Sequence, residues 1–136
     1  MGRIDPAIEV ISRDEAELLS WFGFTLDEAA DGVAAVTVTP GTHQANANGM
    51  VHGGLIFALA DHAFAMCART ALGPAATAEA DIRYLAPGRV DDVITARATV
   101  TTQRSRVAVV DVEVRTGDTL LALYRGTARS VRAPSN

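Results

Sequence analysis

The chain reads as an α+β domain in which one long apolar helix is wrapped by a twisted antiparallel β-sheet. Three observations predict it. Residues 55–69 (LIFALADHAFAMCAR) contain no Pro or Gly and are rich in Ala, Leu, Phe and Met, a composition that favours helix. From Thr77 onward, apolar and polar residues alternate with the two-residue period of half-buried strands. Short turns join those strands, so successive ones run antiparallel, and the single long helix is the element left to cover the sheet.

Taken in order, each element follows from local chemistry. Residues 6–22 place Ile8, Val10, Ile11, Leu18, Leu19 and Trp21 among Glu9, Arg13, Asp14, Glu15 and Glu17, an amphipathic helical segment with Asp5 as cap and Pro6 in its first turn. Residues 24–28 and 33–39 form a hairpin across Asp31-Gly32, and Pro40-Gly41 ends it. A polar loop through His43 and Asn46 feeds the central helix, residues 55–68, which stops around Leu72-Gly73-Pro74. Strands follow at 77–85, 93–103, 106–115 and 119–131. The second carries Ile94, Ala96, Ala98 and Val100 on one face, the third Ala108, Val110, Val112 and Val114, and the last holds Leu121, Leu123, Gly126 and Ala128. Apolar residues occupy every face of the central helix, so it is expected to be buried all round.

At 136 residues the chain is expected to form one domain, 1–136, with 1–22 as an N-terminal helical segment. The net charge of −4 argues against a general nucleic-acid binder. All basic residues are Arg, nine of them from Arg83 onward and three before it. No charged-then-apolar leader opens the sequence, and the central helix falls short of a membrane span, so neither export nor a membrane location is expected. One cysteine, Cys67, leaves no internal disulfide and fits a reducing cytoplasm.

Asp61 is the residue that needs explaining. A carboxylate inside an apolar helix costs several kcal/mol unless partnered, so it is either a structural acid or a base or nucleophile kept in a dry cleft. Gly53 and Gly54 favour the second reading, because they leave backbone N–H groups unblocked at a helix N-terminus, where developing negative charge is stabilised. Asp61 lies eight residues beyond Gly53, roughly 12 Å along a helix. If both groups serve one carbonyl, they come from two antiparallel helices, hence from two copies of the chain in a homodimer. No Gly-x-Ser-x-Gly elbow occurs, and His43, His52 and His62 with Asp61 lack a metal-ligand spacing, so neither a metal nor a cofactor is expected.

The pattern Asn-x-x-Gly-x-x-His-Gly-Gly over residues 46–54, the Leu59-Ala60-Asp61 after it, and Tyr84-Leu85-Ala86-Pro87-Gly88 resemble the hotdog-fold acyl-CoA thioesterases. Leu123-Tyr124-Arg125-Gly126 adds a likeness to their PaaI branch, the phenylacetyl-CoA pathway thioesterases, and the similarity runs from about residue 46 to 131. The resemblance implies a hotdog fold and hydrolysis of a small aromatic acyl-CoA, phenylacetyl or hydroxyphenylacetyl in type, to free acid and CoA. Asp61 matches the catalytic carboxylate, acting as nucleophile or as general base on water. Gly53 of the partner subunit matches the amide that polarises the thioester oxygen. Asn46, from the same subunit as that glycine, matches the side chain that positions water or the carbonyl. Thr77 stands where relatives carry a Ser or Thr that orients the attacking water, and His52 matches a family His that shapes the loop beside the thioester. His62 stands where relatives have Thr, Ser or Asn. Gly54 and the turn-proximal Arg89, Arg104 and Arg106 are the candidates for holding substrate and CoA phosphates. The resemblance also implies two dimers packed as a homotetramer. Two rival readings are a dehydratase or hydratase of the same fold with His52 as base, and a non-catalytic acyl-CoA-binding protein.

Overall fold

A computed structural model describes residues 2–131. Before the first helix the chain already pairs with the sheet: Asp5 N–H donates to Ala29 O at 2.8 Å, and Ala29 N–H to Arg3 O at 2.9 Å. Helix α1 (Pro6–Asp14) starts where Asp5 Oδ1 accepts from Ala7 N–H, with Pro6 in the first turn. The expected single helical segment is two helices, because the chain turns at Glu15 (φ −100°, ψ 16°) before α2 (Ala16–Phe22). Glu15 occupies the stripe position between Ile11 and Leu19 that one continuous helix would bury among apolar residues.

Strands β1 (Thr25–Ala30) and β2 (Val33–Val38) form the hairpin, with Asp31 (φ 53°) and Gly32 (φ 79°) both left-handed, as a two-residue turn matched to strand twist requires. A short 3-10 turn (Thr42–Gln44) precedes the central helix α3 (Gly53–Leu72). Strands β3 (Ala75–Tyr84), β4 (Ile94–Arg104), β5 (Val107–Thr116) and β6 (Thr119–Ser130) complete one six-stranded antiparallel sheet in the order β1-β2-β4-β5-β6-β3. Helix α3 packs against all six strands. Its Leu59, Ala63, Phe64 and Cys67 are buried against Val36, Ile94, Ala96, Ala98, Val110, Val112 and Val114. At Gly126 a Cβ would lie 2.5 Å from Cε1 of Phe64, so only glycine lets that ring seat against β6.

Three expectations need correction. Helix α3 is not buried all round: Phe57, Ala58, Asp61, His62, Ala65 and Arg69 form a half-buried stripe, since the sheet covers one side of a cylinder and α1 and α2 cover only part of the other. The helix is also longer than its apolar run, and its 20 residues reach the length of a membrane span; in this fold half of its most apolar 18-residue stretch is buried inside the chain. Leu123 faces outward, 41% exposed, while Leu121, Ala122 and Tyr124 point inward. A bulge between Val114 and Arg115 lets Leu121 and Ala122 both turn in, which a strict two-residue period cannot anticipate.

The two sheet edges differ. Beside β1 lies the segment Arg3–Asp5, whereas β3 has no strand beyond it among the described residues, and Ala76, Thr77, Ala78, Glu79, Asp81, Arg83 and Tyr84 along it are exposed.

Candidate active site

Asp61 lies midway along α3 on the half-buried stripe. Its Oδ1 accepts a 2.7 Å hydrogen bond from the phenol of Tyr124, which projects inward from β6 and is 2% exposed. Burial, and then the bond to Asp61, raise the Tyr124 pKa far above the ordinary phenol value, so the group stays protonated and donates. This orients the carboxylate while leaving Oδ2 with no hydrogen-bond partner among the described residues. Tyr124 belongs to the Leu123-Tyr124-Arg125-Gly126 motif, and the signal for its role is a phenol on the inward register of β6, where a buried hydroxyl needs a partner.

Asp61 opens into a cleft of about 300 Å³ walled by Leu18, Leu19, Phe22 and Phe24 on one side and Ala58, Ala65 and Met66 on the other, with Glu15, His62 and Arg69 as its further polar members. His62 lies beside Phe24, the two rings tilted 41° to each other with centroids 6.3 Å apart. Desolvation lowers its pKa, with Glu15 and Asp61 pulling the opposite way. Cys67 lies buried in the same helix, its thiol pushed up to about 12 by desolvation, which makes it a poor nucleophile.

The N-terminus of α3 carries the other candidates. His52 is the helix cap: its Nδ1 accepts from Gly54 N–H at 2.8 Å. That leaves one of the two expected free amides, Gly53 N–H, without a partner among the described residues, while Gly53 O accepts from Tyr84 Oη at 2.8 Å. Asn46 Oδ1 accepts from the amides of Asn48 (2.9 Å) and Met50 (3.2 Å) and so holds the loop that presents Gly53. Asn46 and Gly53 share a second cleft of about 330 Å³ with Met50, Ile56 and Tyr84. Asp61 is not in it.

The remaining candidates are spread along the molecule. Thr77 is exposed on β3 beside a bulge between it and Glu79, and lines neither cleft. Arg89 forms a bridge with Met50 at the N-terminal end of α3. Arg104 and Arg106 flank the β4–β5 turn at the opposite end, where neighbouring Gln103 Nε2 donates to Ala71 O and Arg106 Nη2 to Ser130 O. Within one chain the three arginines therefore do not converge.

Comparison with known proteins places this arrangement. Residues 48–123 match the family model described as the thioesterase superfamily. The chain is 36% identical over 111 residues to the acyl-coenzyme A thioesterase PaaI of Escherichia coli, covering 80% of this chain and 79% of that one. It superposes on the structure of the E. coli PaaI protein from the phenylacetic acid degradation operon with a TM-score of 0.86 at 30% identity, covering 93% of this chain and 91% of that one. A Streptococcus mutans protein solved bound to acetyl CoA is 25% identical with a TM-score of 0.76, over 79% and 88% of the two chains. With one long helix on a six-stranded antiparallel sheet as its hotdog architecture, the chain belongs to the thioesterase superfamily, as an acyl-CoA thioesterase of the PaaI type.

Proposed function

We propose that this chain hydrolyses small aromatic acyl-CoA thioesters, phenylacetyl or hydroxyphenylacetyl in type, at a site shared by two copies of the chain. The observation that carries this is Asp61: a carboxylate with one oxygen held by Tyr124 and the other without a partner among the described residues, opening into a cleft whose walls include the rings of Phe22 and Phe24. Asp61 attacks the thioester carbonyl or takes a proton from the water that does. The C–S bond breaks, the sulfur leaves with the electron pair as the CoA thiolate, and the acyl carbon acquires the oxygen of water in the released acid. Negative charge developing on the carbonyl oxygen is met by Gly53 N–H at the positive end of α3, with Asn46 and Thr77 positioning the carbonyl and water and His52 holding the helix end in shape.

One helix cannot supply both groups, which lie roughly 12 Å apart along it and line separate clefts. An antiparallel pair of helices can, and the bare edge of β3 offers a place for a second copy to add its own β3. In such a pair the Arg104 and Arg106 end of one chain comes alongside the Arg89 end of the other, bringing cationic groups to the CoA phosphates. The likeness to PaaI extends the assembly to a dimer of dimers in the cytoplasm.

The deciding experiment is Asp61→Asn or Asp61→Ala with thiol release measured on a panel of phenylacetyl, hydroxyphenylacetyl, benzoyl and straight-chain CoA thioesters. The variants should fold and lose at least the roughly 10²–10⁴-fold typical of a missing general base. Undiminished turnover on the best substrate overturns the proposal.

A further inference from the structure

The cleft beside Asp61 is lined by carbon over most of its wall, and its polar members other than Asp61 are Glu15, His62 and Arg69. Glu15 Oε2 lies 3.9 Å from His62 Nδ1, with the two side chains 32% and 11% exposed. That separation is too long for a hydrogen bond. Among the described residues Glu15 makes no side-chain hydrogen bond, and the buried Nε2 of His62 has no partner either. A carboxylate and an imidazole set into an apolar wall cost desolvation, and the loose contact between them returns little of it. The residues that carry them come from different elements, the α1–α2 turn and α3, so it is the fold that brings them together on one face of the cleft.

Resting on the acyl-CoA reading, we infer that Glu15, with His62 beside it, reads a hydroxyl at the far end of the acyl group. A hydroxyl is a donor and an acceptor at once: it donates to Glu15 Oε2 and accepts from or packs against the imidazole, while Leu18, Leu19, Phe22 and Phe24 hold the carbon skeleton that leads to it. Glu15 is then the specificity-determining residue for ring-hydroxylated over unsubstituted acyl groups, and it takes no part in cleaving the thioester.

The test compares kcat/KM for 4-hydroxyphenylacetyl-CoA and phenylacetyl-CoA in the wild-type chain, Glu15→Leu and Glu15→Gln. The wild type should prefer the hydroxylated thioester about tenfold, the lower end for a hydrogen bond to a charged group, because Glu15 is partly exposed. Glu15→Leu should bring the ratio to about one while turnover of phenylacetyl-CoA stays within about twofold, and Glu15→Gln, which keeps an acceptor without the charge, should fall between. A destabilised enzyme loses both activities together and leaves the ratio unmoved, so the ratio isolates recognition from folding. Equal rates on both substrates in the wild type, or a preference that survives Glu15→Leu, overturns this inference and leaves the thioesterase reading standing. Cleavage of neither thioester by the wild type overturns that reading and this inference with it.

Discussion

The two clefts along α3 differ in what the chain leaves free. At the Gly53 end the polar groups are committed to one another: His52 caps Gly54, Asn46 holds Asn48 and Met50, and Tyr84 donates to the Gly53 carbonyl. What remains without a partner among the described residues is a backbone N–H at the positive end of a helix, with the side-chain NH2 of Asn46 beside it. In the Asp61 cleft the reverse holds, for the side chains are the reactive part and, among the described residues, only Tyr124 restrains the carboxylate. One cleft is a scaffold that presents a dipole, the other an apolar wall that presents an acid. Thioester cleavage calls for both, which is why neither cleft suffices by itself.

The sharpest way to break this contrast is to inactivate each side on a different chain. Asp61→Asn and Asn46→Ala, each nearly inactive alone, should regain up to about a quarter of wild-type activity when co-assembled, because half of random dimers are mixed and each mixed dimer has one intact site. No regain in verified mixed dimers would mean that the site lies within one chain. Next in size is Tyr124→Phe, which frees the Asp61 carboxylate from its one anchor; kcat should fall roughly tenfold, as expected for a lost hydrogen bond to a charged group. An unchanged kcat would show that the anchor is irrelevant to the chemistry.

His52→Ala probes the scaffold side. Loss of the cap should cost about 1 kcal/mol and lower Tm by roughly 3–5 °C, and His52→Asn, which can still cap, should recover most of it. Thiol release should persist in both variants; enoyl formation by the wild type that vanishes in both would instead identify a dehydratase. The smallest effect concerns His62, whose pKa is lowered by burial. The unfolded chain then binds the proton more readily than the folded one, so stability is complete above the unfolded value of about 6.5 and declines as pH falls from there through the folded pKa. His62→Phe should flatten that part of the stability profile in denaturant melts; an identical slope would assign the effect to another group.

Much of the fold was legible because it rests on short-range rules. The Asp31-Gly32 turn, the Asp5 cap, and the alternation of Ile94, Ala96, Ala98 and of Val110, Val112, Val114 depend on residues close in sequence. The break at Glu15 and the outward turn of Leu123 were missed, since the first places a carboxylate near His62, 47 positions away, and the second depends on a bulge in the pairing with β5. At the candidate site, Asp61 stood out as an acid in an apolar run, but its partner Tyr124 is 63 residues distant and meets it only when β6 lies across α3. His52 could be picked out as a residue of interest, while its capping bond to Gly54 required the loop geometry.

By itself, then, the sequence determined the periods, the turns and the unusual acid, because hydrophobic patterning and backbone preference act over a few residues. Tertiary structure alone decided that Tyr124 anchors that acid and that Glu15 and His62 share its cleft, because those relations depend on which elements lie over which turn of the helix.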